Sequence, residues 1–143
     1  MKLYLDSAYI AKCYLNDPDA PKVRKLVQGA ESLHSSAWCL AEMACAVQRR
    51  VREKTLTPEQ GAQLRRVFLD HVSQGVWLLL PVTDPVLRAV DASLDRLPVE
   101  ILLRAGDAVH LVSAQAGGFS EIWSNDRRLL RAARYFGLAG RSL

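Results

Sequence analysis

Four acidic residues stand beside apolar runs or at element ends, where a carboxylate can do chemistry as well as hold structure. Asp6 directly follows the short apolar run Lys2–Leu5, and Glu42 shares a helical-wheel face with Trp38, Ala41 and Cys45. Asp107 has Leu103, Leu111 and Ala114 as helical neighbours, and Asp126 follows Trp123-Ser124-Asn125. Each has an ordinary explanation alone. Asp6 and Asp126 suit helix N-caps, and Asp107 suits a helix first turn. Glu42 can be a partly exposed glutamate at the margin of its stripe or one paired with an arginine. Jointly these explanations weaken, because four carboxylates converging on one place repel and raise one another's pKa. A hard divalent cation resolves that conflict, since oxygen donors suit magnesium and manganese. Magnesium held by a few carboxylates together with a substrate phosphate points to phosphodiester chemistry. His110, three residues beyond Asp107, reads as a packed or supporting histidine rather than a metal ligand.

The elements that must position these residues follow from periodicity and punctuation. Lys2–Leu5 reads as a strand, Ser7–Leu15 as a helix closed by Asn16-Asp17-Pro18, and Pro21–Gln28 as a second helix ended by Gly29. Glu31–Ser35 reads as a strand, and Ala37–Lys54 as a helix with Trp38, Ala41 and Cys45 on its buried side. Thr57-Pro58-Glu59-Gln60 is an N-terminal signature for a helix with an apolar stripe of Leu64, Val67, Phe68 and Val72. Beyond Gly75 come a strand at Val76–Val82, a helix opened by Asp84-Pro85 and a helix over Val99–Gln115. A strand at Glu121–Ser124 and a helix over Asp126–Phe136 complete the pattern. Strands alternating with helices predict an α/β fold, a parallel sheet covered by helices, with ligands beyond the carboxyl ends of the strands. Such a sheet brings Asp6 and Asp126 together. Strand order does not follow from the pattern.

Composition bounds the partners. A chain of 143 residues, 50% hydrophobic and 24% charged, predicts one domain with a core that needs no disulfide or metal staple. No apolar run approaches the ~20 residues of a spanning helix, and no signal peptide is evident, so the expected location is the cytoplasm. Cys13, Cys39 and Cys45 are odd in number and form no CxxC pair, which argues against a disulfide framework or zinc site. The net charge of +4 includes 14 arginines among 19 basic residues, and the guanidinium fork suits phosphate. Setting the four acids aside raises the remaining excess to +8. Candidate phosphate contacts are Arg49, Arg50, Arg52, Arg65, Arg66, Arg104, Arg127, Arg128, Arg131 and Arg134. Tyr9, Tyr14 and Trp38 are candidates for an interface, with core filling the better expectation for Trp38.

Leu5-Asp6-Ser7-Ala8, Leu40-Ala41-Glu42, Arg104-x-x-Asp107-Ala108-x-His110-Leu111 and Ser124-Asn125-Asp126 resemble, in order and across nearly the whole chain, the motifs of PIN-domain ribonucleases. The pattern is most similar to the VapC-type toxins of bacterial toxin–antitoxin pairs. The resemblance implies a three-layer fold with a parallel sheet between helices. It also implies an acidic Mg²⁺ or Mn²⁺ site of Asp6, Glu42, Asp107 and Asp126, supported by Ser7, Ser124 and Asn125. The reaction implied is endonucleolytic hydrolysis of RNA, with a homodimer and a cognate antitoxin as partners. The last motif departs from the family's usual form, which has Thr and an apolar residue before the Asp; here Asn125 holds the middle place.

Rival readings fare differently. A dehalogenase-type phosphatase needs a second Asp two residues after the first, where Ala8 stands. A receiver domain needs a functional lysine late in the chain, and none follows Lys54. A PIN-like nuclease of RNA processing and a non-cleaving RNA- or protein-binding scaffold remain as alternatives.

Overall fold

The computed structural model describes all 143 residues. Strands β1 (Lys2–Tyr4), β2 (Ser32–Ser36) and β3 (Trp77–Leu80) pair in parallel with β2 in the middle, and β4 (Glu121–Trp123) pairs in parallel with β5 (Ala139–Arg141). A single parallel bridge, Leu5 to Trp123, joins the two ladders into the order β3-β2-β1-β4-β5. The helices are α1 (Ser7–Tyr14), α2 (Ala20–Gln28), α3 (Cys39–Arg52), α4 (Pro58–Ser73), α5 (Asp84–Leu94), α6 (Ala105–Ala116) and α7 (Arg127–Ala133).

Side chains alternate across a strand, and β1 shows what that does. Leu3 and Leu5 enter one buried cluster with Tyr9, Ile10, Val23, Met43 and Phe68. Tyr4 enters the other, with Leu111, Ile122, Leu129 and Phe136. The sheet therefore separates a core built on α1–α4 from one built on α6 and α7, the three layers expected. Burial of a large aliphatic or aromatic side chain is worth about 1.5–3 kcal/mol, so these two clusters hold the helices against the sheet. Thr57 and Gln60 form the expected capping box at the start of α4, and the Leu64–Val72 stripe packs on the first cluster.

Three expectations need correction. The helix predicted over Val99–Gln115 begins only at Ala105. The apolar residues Val99, Ile101, Leu102 and Leu103 follow one another without a 3–4 spacing, and Val99 is fully exposed. In α3 the buried stripe is Cys39, Met43 and Val47, one position round from the face predicted to be buried, so Trp38, Ala41 and Cys45 are exposed. Tyr9, named as an interface candidate, is wholly buried, while Trp38 does not fill the core. Strand β5 was not expected. It is exposed throughout and carries Gly140, where a Cβ would lie 2.9 Å from the Leu130 side chain, so it has neither alternation nor apolar content to mark it.

Candidate acidic site at the sheet edge

Asp6 leaves the end of β1 with its backbone N–H donating to the Trp123 carbonyl at 3.1 Å, which ties it to β4. It caps α1 as the sequence suggests: Oδ1 accepts from the Tyr9 N–H at 3.0 Å, while Oδ2 accepts from Ser124 Oγ at 2.5 Å. Asp126 caps α7, its Oδ1 accepting from the N–H groups of Arg128 and Leu129, and its own N–H donates to Ser124 Oγ at 2.9 Å. Ser124 thus links two of the four acids. The ordinary role as a cap and the proposed role at a site are compatible, because a cap occupies one carboxylate oxygen.

Glu42 sits in the first turn of α3 and Asp107 in the first turn of α6. Glu42 Oε1 accepts from Ser7 Oγ at 2.7 Å and pairs with His110 Nε2 at 2.7 Å. Its other oxygen lies against Gly106, where a Cβ would come within 3.4 Å of Oε2 and 3.1 Å of Trp38 Nε1. Gly106 is therefore a close-approach glycine: α6 begins where its backbone lets Glu42 pass. His110 is buried, and its Nδ1 meets the Tyr4 hydroxyl at 2.9 Å. Burial holds the Tyr4 hydroxyl far above its ordinary pKa, and the ionised Glu42 carboxylate can only accept. In the neutral imidazole the proton therefore sits on Nε2, which donates to Glu42, and Tyr4 donates to Nδ1.

The electrostatics match a crowded acidic edge. Burial, assisted by the Glu42 charge, pushes Asp6 up to about 6, against the hydrogen bonds from Ser124 and the Tyr9 N–H. Burial and the neighbouring Asp126 charge raise Asp107, with Arg104 acting against them. Burial also acts to raise Glu42, but the bond from His110, the Ser7 hydroxyl and the Arg104 charge outweigh it and hold this carboxyl below its usual range. Arg104 spans two acids, Nε to Asp107 Oδ2 at 3.3 Å and Nη2 to Asp126 Oδ2 at 2.6 Å.

No three His, Cys, Asp or Glu side chains stand close enough together to ligate one ion in this arrangement. The donor chemistry nevertheless suits a hard divalent cation. The donors are carboxylate oxygens, two of them (Asp6 and Asp107) raised chiefly by burial, and a cationic guanidinium already bridges Asp107 and Asp126. The edge reaches solvent at three of the acids, with the side chains of Asp107, Asp126 and Glu42 16%, 26% and 34% accessible, while Asp6 is buried.

The supporting residues divide. Ser7 and Ser124 touch the acids, whereas Asn125 turns away, donating to Asp19 at 3.0 Å and accepting from Ser142. Among the arginines, Arg49 pairs with Glu53 and Arg50 with Asp17, so both are engaged with their own carboxylates. Arg127 and Arg128 are exposed on the first turn of α7, directly after Asp126. Tyr4 was missed by sequence reasoning. Its signal was strand alternation, which turns it away from Leu3 and Leu5 and toward α6. The Asp107-x-x-His110 spacing, which puts both on one helix face, was the signal for His110.

No curated protein matches the chain. Crystal structures that resemble it include VapC20 of Mycobacterium tuberculosis, a Sarcin-Ricin loop cleaving toxin, with TM-score 0.72 and 16% identity over 91% of this chain and 94% of that one. VapBC2 of Rickettsia felis, bound to a DNA fragment from its promoter, gives TM-score 0.66 and 15% identity over 99% and 98%. FitAcB of Neisseria gonorrhoeae gives 0.68 and 16% over 98% and 96%. At these identities the likeness speaks for the fold. The PIN-domain family model, in contrast, matches residues 3–135 of the sequence itself. That match spans most of the chain, and the chain belongs to the PIN-domain family.

Proposed function

We propose that the protein is a divalent-metal-dependent endoribonuclease that acts as the toxin of a toxin–antitoxin pair. The observation that carries this reading is the gathering of Asp6, Glu42, Asp107 and Asp126, from four separated stretches of chain, around the junction of β1 with β4 and the starts of α3, α6 and α7. Those four carboxylates would hold Mg²⁺ or Mn²⁺, which supplies an activated water and charge neutralisation at the phosphate. Ser7, His110 and Tyr4 hold Glu42 in one orientation, and Ser124 holds Asp6. Arg127 and Arg128 offer exposed phosphate contacts beside Asp126. Unpaired RNA loops are what sequence-specific RNA readers favour, and the similar VapC20 is itself described as cleaving the Sarcin-Ricin loop. A homodimer and a protein antitoxin complete the proposal, consistent with the VapBC2 and FitAcB neighbours. No helix is long and apolar enough to cross a membrane.

The test is cleavage of labelled total RNA with and without Mg²⁺ or Mn²⁺, comparing wild type with Asp6→Ala and Asp107→Ala. Metal-dependent cutting lost in both variants is expected. A second reading, a PIN-like scaffold that binds without cutting, draws on the Arg104 bridge, which fills the place of a cation in the present arrangement. Absence of cutting by folded, metal-loaded wild type across cellular RNAs would select it.

A further inference from the structure

Arg104 stands at the N-cap of α6 with extended backbone and no side-chain capping bond. A cation there faces the positive end of the helix dipole, the unfavourable end. Its placement therefore rests on the two carboxylates it spans, Asp107 on α6 and Asp126 at the cap of α7. The partners are unequally exposed: the Arg104 side chain is 57% accessible, that of Asp107 16% and that of Asp126 26%. The guanidinium can return to water readily, while the acids cannot. Residues 95–104, which carry Arg104 to its place, lie outside any helix or strand, so its release breaks no ladder of hydrogen bonds. The opposite half of the site has hydrogen-bonding groups in this position instead, Ser7 and His110 on Glu42 and Ser124 on Asp6. Arg104 is the single arginine or lysine paired with any of the four acids.

We propose that Arg104 is an exchangeable internal counter-ion, which neutralises Asp107 and Asp126 in the metal-free protein and must be displaced when a divalent cation occupies the site. This rests on the metal-dependent reading above. Two consequences follow. Arg104 sets the metal concentration at which the site fills, and its guanidinium is free to meet a phosphate only after the metal has bound. A passive surface ion pair would do neither.

The experiment is calorimetric titration of the purified, metal-stripped protein with Mn²⁺ alone, in low and high salt, for wild type, Arg104→Gln and Arg104→Lys. Removing the competing charge is expected to tighten Mn²⁺ binding about tenfold in Arg104→Gln, the equivalent of ~1.4 kcal/mol. High salt is expected to narrow that gap, because the exposed pair is screened. Arg104→Lys, a point charge that cannot fork across both acids, is expected to fall between, and it carries the test if the Gln variant does not fold. Equal or weaker Mn²⁺ binding by a folded Arg104→Gln overturns the inference alone. Failure of both wild type and variants to bind Mn²⁺ at millimolar concentration overturns it together with the metal-dependent reading.

Discussion

Replacing Asp6 by Asn should make the protein more stable at neutral pH while abolishing RNA cleavage. The reasoning begins with burial: Asp6 is buried at the sheet edge, and its carboxyl is pushed from 3.8 up to about 6. An acid with a raised native pKa binds more protons folded than unfolded between those values. Its contribution to stability is therefore undiminished below about pH 4 and falls as pH rises toward 6. Above pH 7, the roughly two-unit rise means that the ionised carboxylate destabilises the fold by about 3 kcal/mol. Asn caps a helix about as well as Asp, and its carbonyl can still accept from the Tyr9 N–H. After allowance for a weaker bond to Ser124, Asp6→Asn should gain about 2 kcal/mol at pH 8. For a chain of this size that is a rise in melting temperature of roughly 6 °C. The assay is thermal unfolding by circular dichroism, without metal, at steps from pH 4 to pH 8. The gap between variant and wild type should open through pH 4–6 and stay constant above. A melting temperature unchanged or lowered at pH 8, or a gap indifferent to pH, would refute the argument.

Three further predictions concern the groups around Glu42. His110→Ala, and less severely Tyr4→Phe, should weaken Mn²⁺ binding and cleavage by about 10–100-fold, the usual loss when a group orienting a ligand is removed. Nitrogen-15 NMR of wild type should show His110 protonated at Nε2, and a proton at Nδ1 instead would contradict the geometry. Gly106→Ala gains up to about 1 kcal/mol of helix propensity but places a methyl 3.1 Å from Trp38 Nε1 and 3.4 Å from Glu42 Oε2. The expected outcome is a folded protein with weakened metal binding; unaltered Mn²⁺ affinity would show that the approach of α6 to Glu42 does not matter.

Much of this arrangement was legible in the sequence, for physical reasons that differ from element to element. The boundaries of α1, α2 and α4 follow from local chemistry, a capping Asp6, a Pro in the first turn of α2 and a reciprocal Thr57–Gln60 box, and local chemistry is what a sequence displays. The start of α6 did not follow, because Val99–Leu103 is apolar without period. Its exposure depends on what the tertiary structure leaves uncovered. The face of α3 was misread by one position. Trp38 is large and apolar, but it sits at the helix cap, where the chain is still turning in from β2. That misreading gave Glu42 prominence for a partly mistaken reason, since it is half-buried beside the true stripe rather than within a buried one. The four acids could be picked out because acids next to apolar residues are conspicuous. Tyr4 and the Asp126 arm of the Arg104 bridge could not, as both depend on contacts across more than twenty residues of sequence.

The joining of the two ladders by the lone Leu5–Trp123 bridge has a consequence for the timing of synthesis. Asp6 and Glu42 belong to the half of the sheet made first, and Asp107 and Asp126 to the half made last. Domains are assembled from the N-terminal side as the ribosome elongates the chain. The first core can therefore gather around α1 to α4 while the nascent polypeptide still has only two of its acids. The proposed four-carboxylate site therefore stays incomplete until α7 has emerged and docked.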